Sequence, residues 1–260
     1  MSDELIERVR KVIATSKRIP EDRVTIDSAF EELGIDSMDA VEILFALENE
    51  FDINIPDEEV KTVRNVRQMA EGVERLLAAK SAGDRVAVAV YTAGVTGMYA
   101  TSACYHRGHW AAPAKRRMRR LDHSMILVAI ASTYTPVAVI GLSSTTAWAL
   151  LSVVWGLAVA GAVVRNVWLE APHWLTAAVY VGVGWAALAV LPRLWTQLGV
   201  ATFVLLMVGG LLYSIGAVVY SFHKPDPWPA VFGYHEVFHA LVVAAGLVFY
   251  AAVLGIVLRA

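Results

Sequence analysis

Residues 124–164 are 41 consecutive positions without a single Asp, Glu, Lys or Arg. A helix crosses a bilayer core of roughly 30 Å with about 20 mostly apolar residues, so this run has room for two crossings and a turn. Further charge-free runs cover 86–106, 173–192, 194–222 and 237–258. Backbone polar groups in lipid must be satisfied within the segment, and runs of this length do so as helices. The pattern predicts six spans at about 86–106, 122–142, 146–164, 173–191, 198–220 and 235–258, with a turn at Gly141–Ser144. Trp168, Trp174, Trp195 and Trp228 lie near predicted span ends, where amphipathic rings anchor at the interface. Pro136 falls inside the second span and predicts a kink there.

The first 80 residues are a different material. They hold 19 acidic and 11 basic side chains, a balance of −8, whereas residues 81–260 hold 5 and 11, a balance of +6. Such asymmetry divides the chain into a domain at 1–80, a linker at 81–85 and a membrane domain at 86–260, all of it α-helical. Within 1–80, Leu5, Val9, Val12 and Ile13 recur at helical spacing, as do Val41, Leu44, Phe45 and Phe51, and Val66, Met69, Val73, Leu76 and Leu77. With a short helix at 57–62 these make a small four-helix bundle with a long first loop. The polar, acidic N-terminus does not read as a secretory signal. The lone cysteine, Cys104, excludes an internal disulfide. The membrane half has no strongly basic face, which argues against a nucleic-acid partner.

Glu32-Leu33-Gly34-Ile35-Asp36-Ser37-Met38-Asp39 opens the second helix of the acidic domain. This resembles the phosphopantetheine attachment site of acyl carrier proteins, and the likeness, including the acidic residues Asp39, Glu42, Glu48 and Glu50, covers nearly all of 1–80. It implies 4′-phosphopantetheine on Ser37, an acyl chain on its thiol and enzymes that act on acyl carriers as partners. A hydroxyl at a helix start is exposed, and the helix N-terminus favours a phosphate. The plainer alternative is that Ser37 only caps the helix.

In the membrane half, loop charge sets orientation. The first loop carries Arg107, Lys115, Arg116, Arg117, Arg119 and Arg120, and the positive-inside rule makes loop 107–120 cytoplasmic. Span alternation then brings His106, Asp122, His235 and His239 to one membrane face. Ionisable groups at such depth are expensive and mark functional sites. His235 and His239, four apart, share one side of a helix. A third histidine from another helix would complete the three-nitrogen set of catalytic zinc. A nearby carboxylate such as Asp122 would orient or deprotonate its water. Against this stands the interfacial anchor, our reading of His109, His123, His173 and His223; Asp122 pairing with the arginines is a further alternative.

Four ordered motifs narrow the choice: Ser102-Ala103-Cys104-Tyr105-His106, Leu121-Asp122-His123-Ser124, Ala131-Ser132-Thr133-Tyr134-Thr135-Pro136 and Phe232-Gly233-Tyr234-His235-Glu236-Val237-Phe238-His239. Over about 86–258 they resemble the hemolysin III family, part of the larger group with the adiponectin and progestin receptors. The resemblance implies a helical membrane fold and zinc held by His106, His235 and His239. It places Ser102 and Asp122 beside the metal's water and implies a hydrolase-like, ceramidase-type cleavage of a lipid amide or ester. His235-Glu236-Val237-Phe238-His239 is also literally H-E-x-x-H, in which Glu236 would be the general base of a membrane-embedded protease. A third reading is a non-enzymatic receptor or modulator whose zinc is structural. Membrane lipids are the partners common to all three, and a pore-forming role ranks last because no amphipathic stripe is evident.

The family has seven spans and this pattern gives six: the carrier-like domain stands where the first would be. A cytoplasmic basic loop would then put that domain across the membrane from the histidines, away from the cytosol where phosphopantetheine is attached. The opposite orientation would translocate six positive charges. The sequence leaves the side of the carrier domain open.

Overall fold

The computed structural model describes residues 2–56, 63–168 and 172–259, with His173 by its backbone alone. Two compact units emerge, Met1–Gly83 and Asp84–Ala260. No strand occurs among the described residues, only isolated bridges.

In the first unit, α1 (Asp3–Lys17) starts where the Ser2 hydroxyl accepts from the Leu5 amide at 3.2 Å, and it ends at Arg18 in a left-handed conformation. Helix α2 (Ser37–Phe51) follows a long loop that holds one 3₁₀ turn, Glu21–Arg23. The two helices pack with the start of α3 (Val66–Arg107) around Val9, Ile13, Val24, Ile43, Leu47, Val66 and Val73. These include the residues the helical spacing marks as inward-facing. The short helix expected at 57–62 lies outside the described residues.

The boundary between the two units falls within the expected linker at 81–85, and α3 stays helical through it. Nothing there forbids a helix. Gly83 alone costs about 1 kcal/mol against alanine, and helical segments on either side outweigh a single such residue.

The second unit continues with α4 (Ala112–Gly141), α5 (Ser144–Val167), α6 (His173–Gly184), a 3₁₀ turn (Ala186–Val190), α7 (Leu191–Phe222) and α8 (Tyr234–Val257). Four helical stretches among the described residues are long and apolar enough to cross a membrane: Ala112–Gly141, Ser144–Val167, Trp174–Phe222 and Tyr234–Val257. The expected spans 173–191 and 198–220 both fall within the third. Two breaks divide it. Between α6 and the 3₁₀ turn, the Tyr134 hydroxyl donates to the Gly184 carbonyl at 2.5 Å and accepts from the Ala187 amide at 3.0 Å. Inside α7, Gly199 has φ +75°, and Arg259 Nη1 donates to the adjoining Leu198 carbonyl at 2.8 Å. Both breaks are therefore bonded by side chains, as non-helical backbone inside an apolar bundle requires. The first expected span, 86–106, belongs to α3, which is not one of the four. Helix α4 begins ten residues before the span expected there and stays helical through Pro136.

The most extensive packing is α7 on α8 and α4 on α5. Helix association in lipid lacks a hydrophobic drive and relies on close approach at small residues. Gly94 of α3 shows how close: a Cβ there would fall 2.5 Å from the Cβ of Ser132, which is fully buried on α4. Gly156 on α5 has nothing within 4 Å of its Cβ position. Gly94→Ala is therefore expected to destabilise the membrane unit by about 1–3 kcal/mol, as overpacking does. Gly156→Ala is expected to cost nothing. Thermal unfolding of the two variants in detergent checks this, and equal midpoints would contradict the packing.

Candidate metal centre and carrier site

At the end of the bundle where α3 finishes and α8 begins, three imidazoles meet. His106 comes from the last turn of α3, and His235 and His239 from consecutive turns of α8. Ring centroids are 5.0 Å apart for His106–His235, 5.2 Å for His106–His239 and 4.6 Å for His235–His239. One nitrogen from each lies within 4.8 Å of the other two. The Nε2 atoms of His235 and His239 stand 3.1 Å apart. Tetrahedral zinc with Zn–N bonds of about 2.05 Å separates its nitrogens by roughly 3.3 Å, so this donor set suits that ion.

Asp122 supplies the carboxyl beside this cluster. It is only 7% exposed, on the inward face of α4. Ser102, one turn before His106, and the His106 ring are both within electrostatic reach of it. A carboxyl removed from water needs such partners. No pairing with the basic loop is required to explain its position.

Glu236 takes part in capping α8. Its Oε2 accepts from the Gly233 amide at 2.9 Å, while Asp226 Oδ1 accepts from the Tyr234 amide at 2.8 Å. Both carboxylates satisfy open donors at the start of α8, where negative charge is also favoured by the helix dipole.

The sequence did not single out Arg165, the last charged residue before α5 ends. It is 5% exposed. Its Nε donates to His123 Nδ1 at 2.9 Å and its Nη1 to the Trp168 carbonyl at 3.3 Å. Asn166 Nδ2 donates to Ser124 Oγ at 2.9 Å, and the Tyr180 hydroxyl donates to the His123 carbonyl at 3.1 Å. This polar lock joins α4, α5 and α6 one residue from Asp122. His123 is an anchor, as expected, bonded to a neighbouring helix. The available signal was an arginine ending a 41-residue charge-free run. Of the other histidines, His109 is exposed and His223 packs its ring on Tyr234 at 4.4 Å.

A cavity of about 410 Å³ opens beside the cluster. Ser102, His106, Asp122, His235 and His239 line one end of it, and Val137, Leu150, Leu191 and Leu194 line the other. Asp122 and Val137 lie fifteen residues apart on one helix, a depth of roughly 22 Å.

In the N-terminal unit, Asp36 is the residue that caps α2. Its Oδ1 accepts from the amides of Met38 at 2.8 Å and Asp39 at 2.9 Å, and Asp39 Oδ2 accepts from the Asp36 amide at 3.0 Å. The capping role is therefore filled by Asp36, and Ser37 is exposed at the first helical position. Lys17 hydrogen-bonds to Asp39, and this contact, with the Asp36 amide, holds the Asp39 carboxyl below the usual carboxylate range.

Comparison with known proteins agrees with both halves. A family model described as "Phosphopantetheine attachment site" matches residues 7–73, and one described as "Haemolysin-III related" matches residues 69–250. The chain is 30% identical over 174 residues to the hemolysin-3 homolog of Bacillus subtilis (strain 168), covering 67% of this chain and 78% of that protein. It is 30% identical over 173 residues to hemolysin-3 of Bacillus cereus, covering 66% and 76%. This multi-pass membrane protein, with a phosphopantetheine-attachment domain at its N-terminal end, belongs to the haemolysin-III-related family.

Proposed function

We propose that the membrane unit is a zinc-dependent hydrolase of a lipid amide or ester. The observation that carries this reading is the meeting of three imidazoles with a buried carboxyl at the polar end of a deep apolar cavity. In this reading 86–106, α4, α5, the two parts of Trp174–Phe222 and α8 make six crossings.

His106, His235 and His239 would hold the ion. When bound, zinc supplies a Lewis-acidic centre that lowers the pKa of a coordinated water. Asp122 would take a proton from the attacking water and return it to the leaving nitrogen or oxygen. Ser102, beside Asp122, orients the water or the substrate carbonyl. The cavity takes the acyl chain and keeps bulk water from it. The acyl carbon gains the water oxygen, its bond to nitrogen or oxygen breaks, and a fatty acid and a free headgroup leave. The cap bonds to Glu236 support Asp122, rather than Glu236, as the proton carrier.

For the N-terminal unit we propose 4′-phosphopantetheine on Ser37, with an acyl thioester loaded by acyl-carrier-dependent enzymes. Exposure of Ser37 beside a cap that Asp36 provides supports this.

Metal analysis of the purified chain should find close to one zinc per protein, lost in His235→Ala; equal zinc in both would contradict the ligand set. On metal-loaded protein, Asp122→Asn should lower lipid amide or ester hydrolysis by 10²–10⁴-fold, the usual share of general acid–base catalysis, with zinc retained. Glu236→Gln should change it by only a few-fold. The reverse ranking would assign the base to Glu236 and favour the protease. Intact mass should show one 4′-phosphopantetheine on the chain and none on Ser37→Ala; an unmodified chain from cells with an active transferase would contradict the carrier assignment.

A further inference from the structure

We infer that the polar end of the cavity is a headgroup subsite for an anionic acyl lipid, a phosphate or carboxylate ester or amide, read by Arg119. This rests on the lipid-hydrolase reading above and narrows its substrate class. Arg119, Asp122, Ile126, Ile130, Thr133 and Val137 follow one another at spacings of three and four, and all six line the cavity. Such spacing puts them in one stripe along a single helix face. The stripe therefore starts with a cation, passes a carboxyl one turn further in, and continues as a mostly apolar track. An occupant that follows it must be amphipathic, with its tail toward Val137 and its head at Arg119.

The charge of that head follows from the residues around it. Arg119 is the one Lys or Arg among the described residues lining the cavity. It is half-buried, so its charge is less screened than that of the exposed Arg116, Arg117 and Arg120 beside it. Tyr220 of α7, also on the wall, lies within electrostatic reach of both Arg119 and the buried Arg165. Positive potential thus comes to this end from two helices. A guanidinium presents forked donors that match phosphate and carboxylate oxygens. Asp122 does not cancel this attraction, since it sits roughly 4.5 Å further in along the helix axis and is matched by Ser102 and His106. The spacing also orders the chemistry. With the acyl linkage at Asp122 and the tail below it, the leaving headgroup projects outward to Arg119.

The test is equilibrium binding to the full-length chain in neutral detergent, with and without chelator. The probes are dodecyl phosphate, 1-dodecanol, dodecyltrimethylammonium and inorganic phosphate. Dodecyl phosphate should bind at least ten-fold tighter than dodecanol, with a preference that weakens as salt rises and persists with chelator. Arg119→Gln should bring the two within two-fold while leaving dodecanol affinity unchanged, which also reports an intact cavity; Arg119→Lys should retain part of the preference. Equal affinities, tighter binding of the ammonium probe, or an unchanged preference in Arg119→Gln would overturn the proposal. So would a preference that chelator removes, which would assign the anion to the metal. Inorganic phosphate binding as tightly as dodecyl phosphate would assign the site to a soluble anion instead of a lipid. Turnover is not read here, so failure of hydrolysis would leave a standing preference intact, and the two claims are judged separately.

Discussion

Ionisable groups inside an apolar bundle are tolerated only when each is matched, and the polar end of the membrane unit is built around that constraint. Asp122 is matched by Ser102 and His106, and Arg165 by His123 and the Trp168 carbonyl. The groups come from α3, α4 and α5, with Tyr180 of α6 holding the His123 carbonyl and the α8 histidines closing the cluster. Removing one member of such a set leaves another buried without its partner, which costs more than the contact itself was worth. The helices are thereby held in one rotational setting, with the imidazoles aimed at a common point.

The rest of the unit follows from the opposite constraint, the lack of any hydrophobic drive between helices in lipid. Close approach has to come from small residues such as Gly94, and backbone interruptions have to be bonded internally. The break after Gly184 and the kink at Gly199 are each served by a side chain, Tyr134 and Arg259. Tyr134 belongs to a sequence motif that takes no part in the proposed chemistry. Its two backbone bonds give that motif an architectural role beside the cavity it lines.

Much of this was readable from the residues, for reasons that differ from site to site. Charge-free runs mark membrane helices because lipid penalises any unmatched charge, and the turn at Gly141–Ser144 falls where α4 gives way to α5. Four-residue spacing places His235 and His239 on one side of α8, and alternation brings His106 to the same end. The start of α2 was legible too, although Asp36 and not Ser37 proved to be the cap. Three things were not legible. The composition shift at 81–85 marks where the two units divide, but composition does not reveal that α3 stays helical there. The pattern H-E-x-x-H fixes spacing but not direction, and Glu236 turns toward the start of its own helix. Arg165 reads as a loop residue until tertiary packing buries it against His123.

The proposed chemistry requires His106, His235 and His239 to ligate one zinc ion together. X-ray absorption at the zinc edge, on purified full-length protein, measures this most directly. The expected result is a first shell of nitrogen and oxygen with imidazole scattering from three histidines and Zn–N distances of about 2.0–2.1 Å. A shell without histidine scattering, or one containing sulfur, would contradict it.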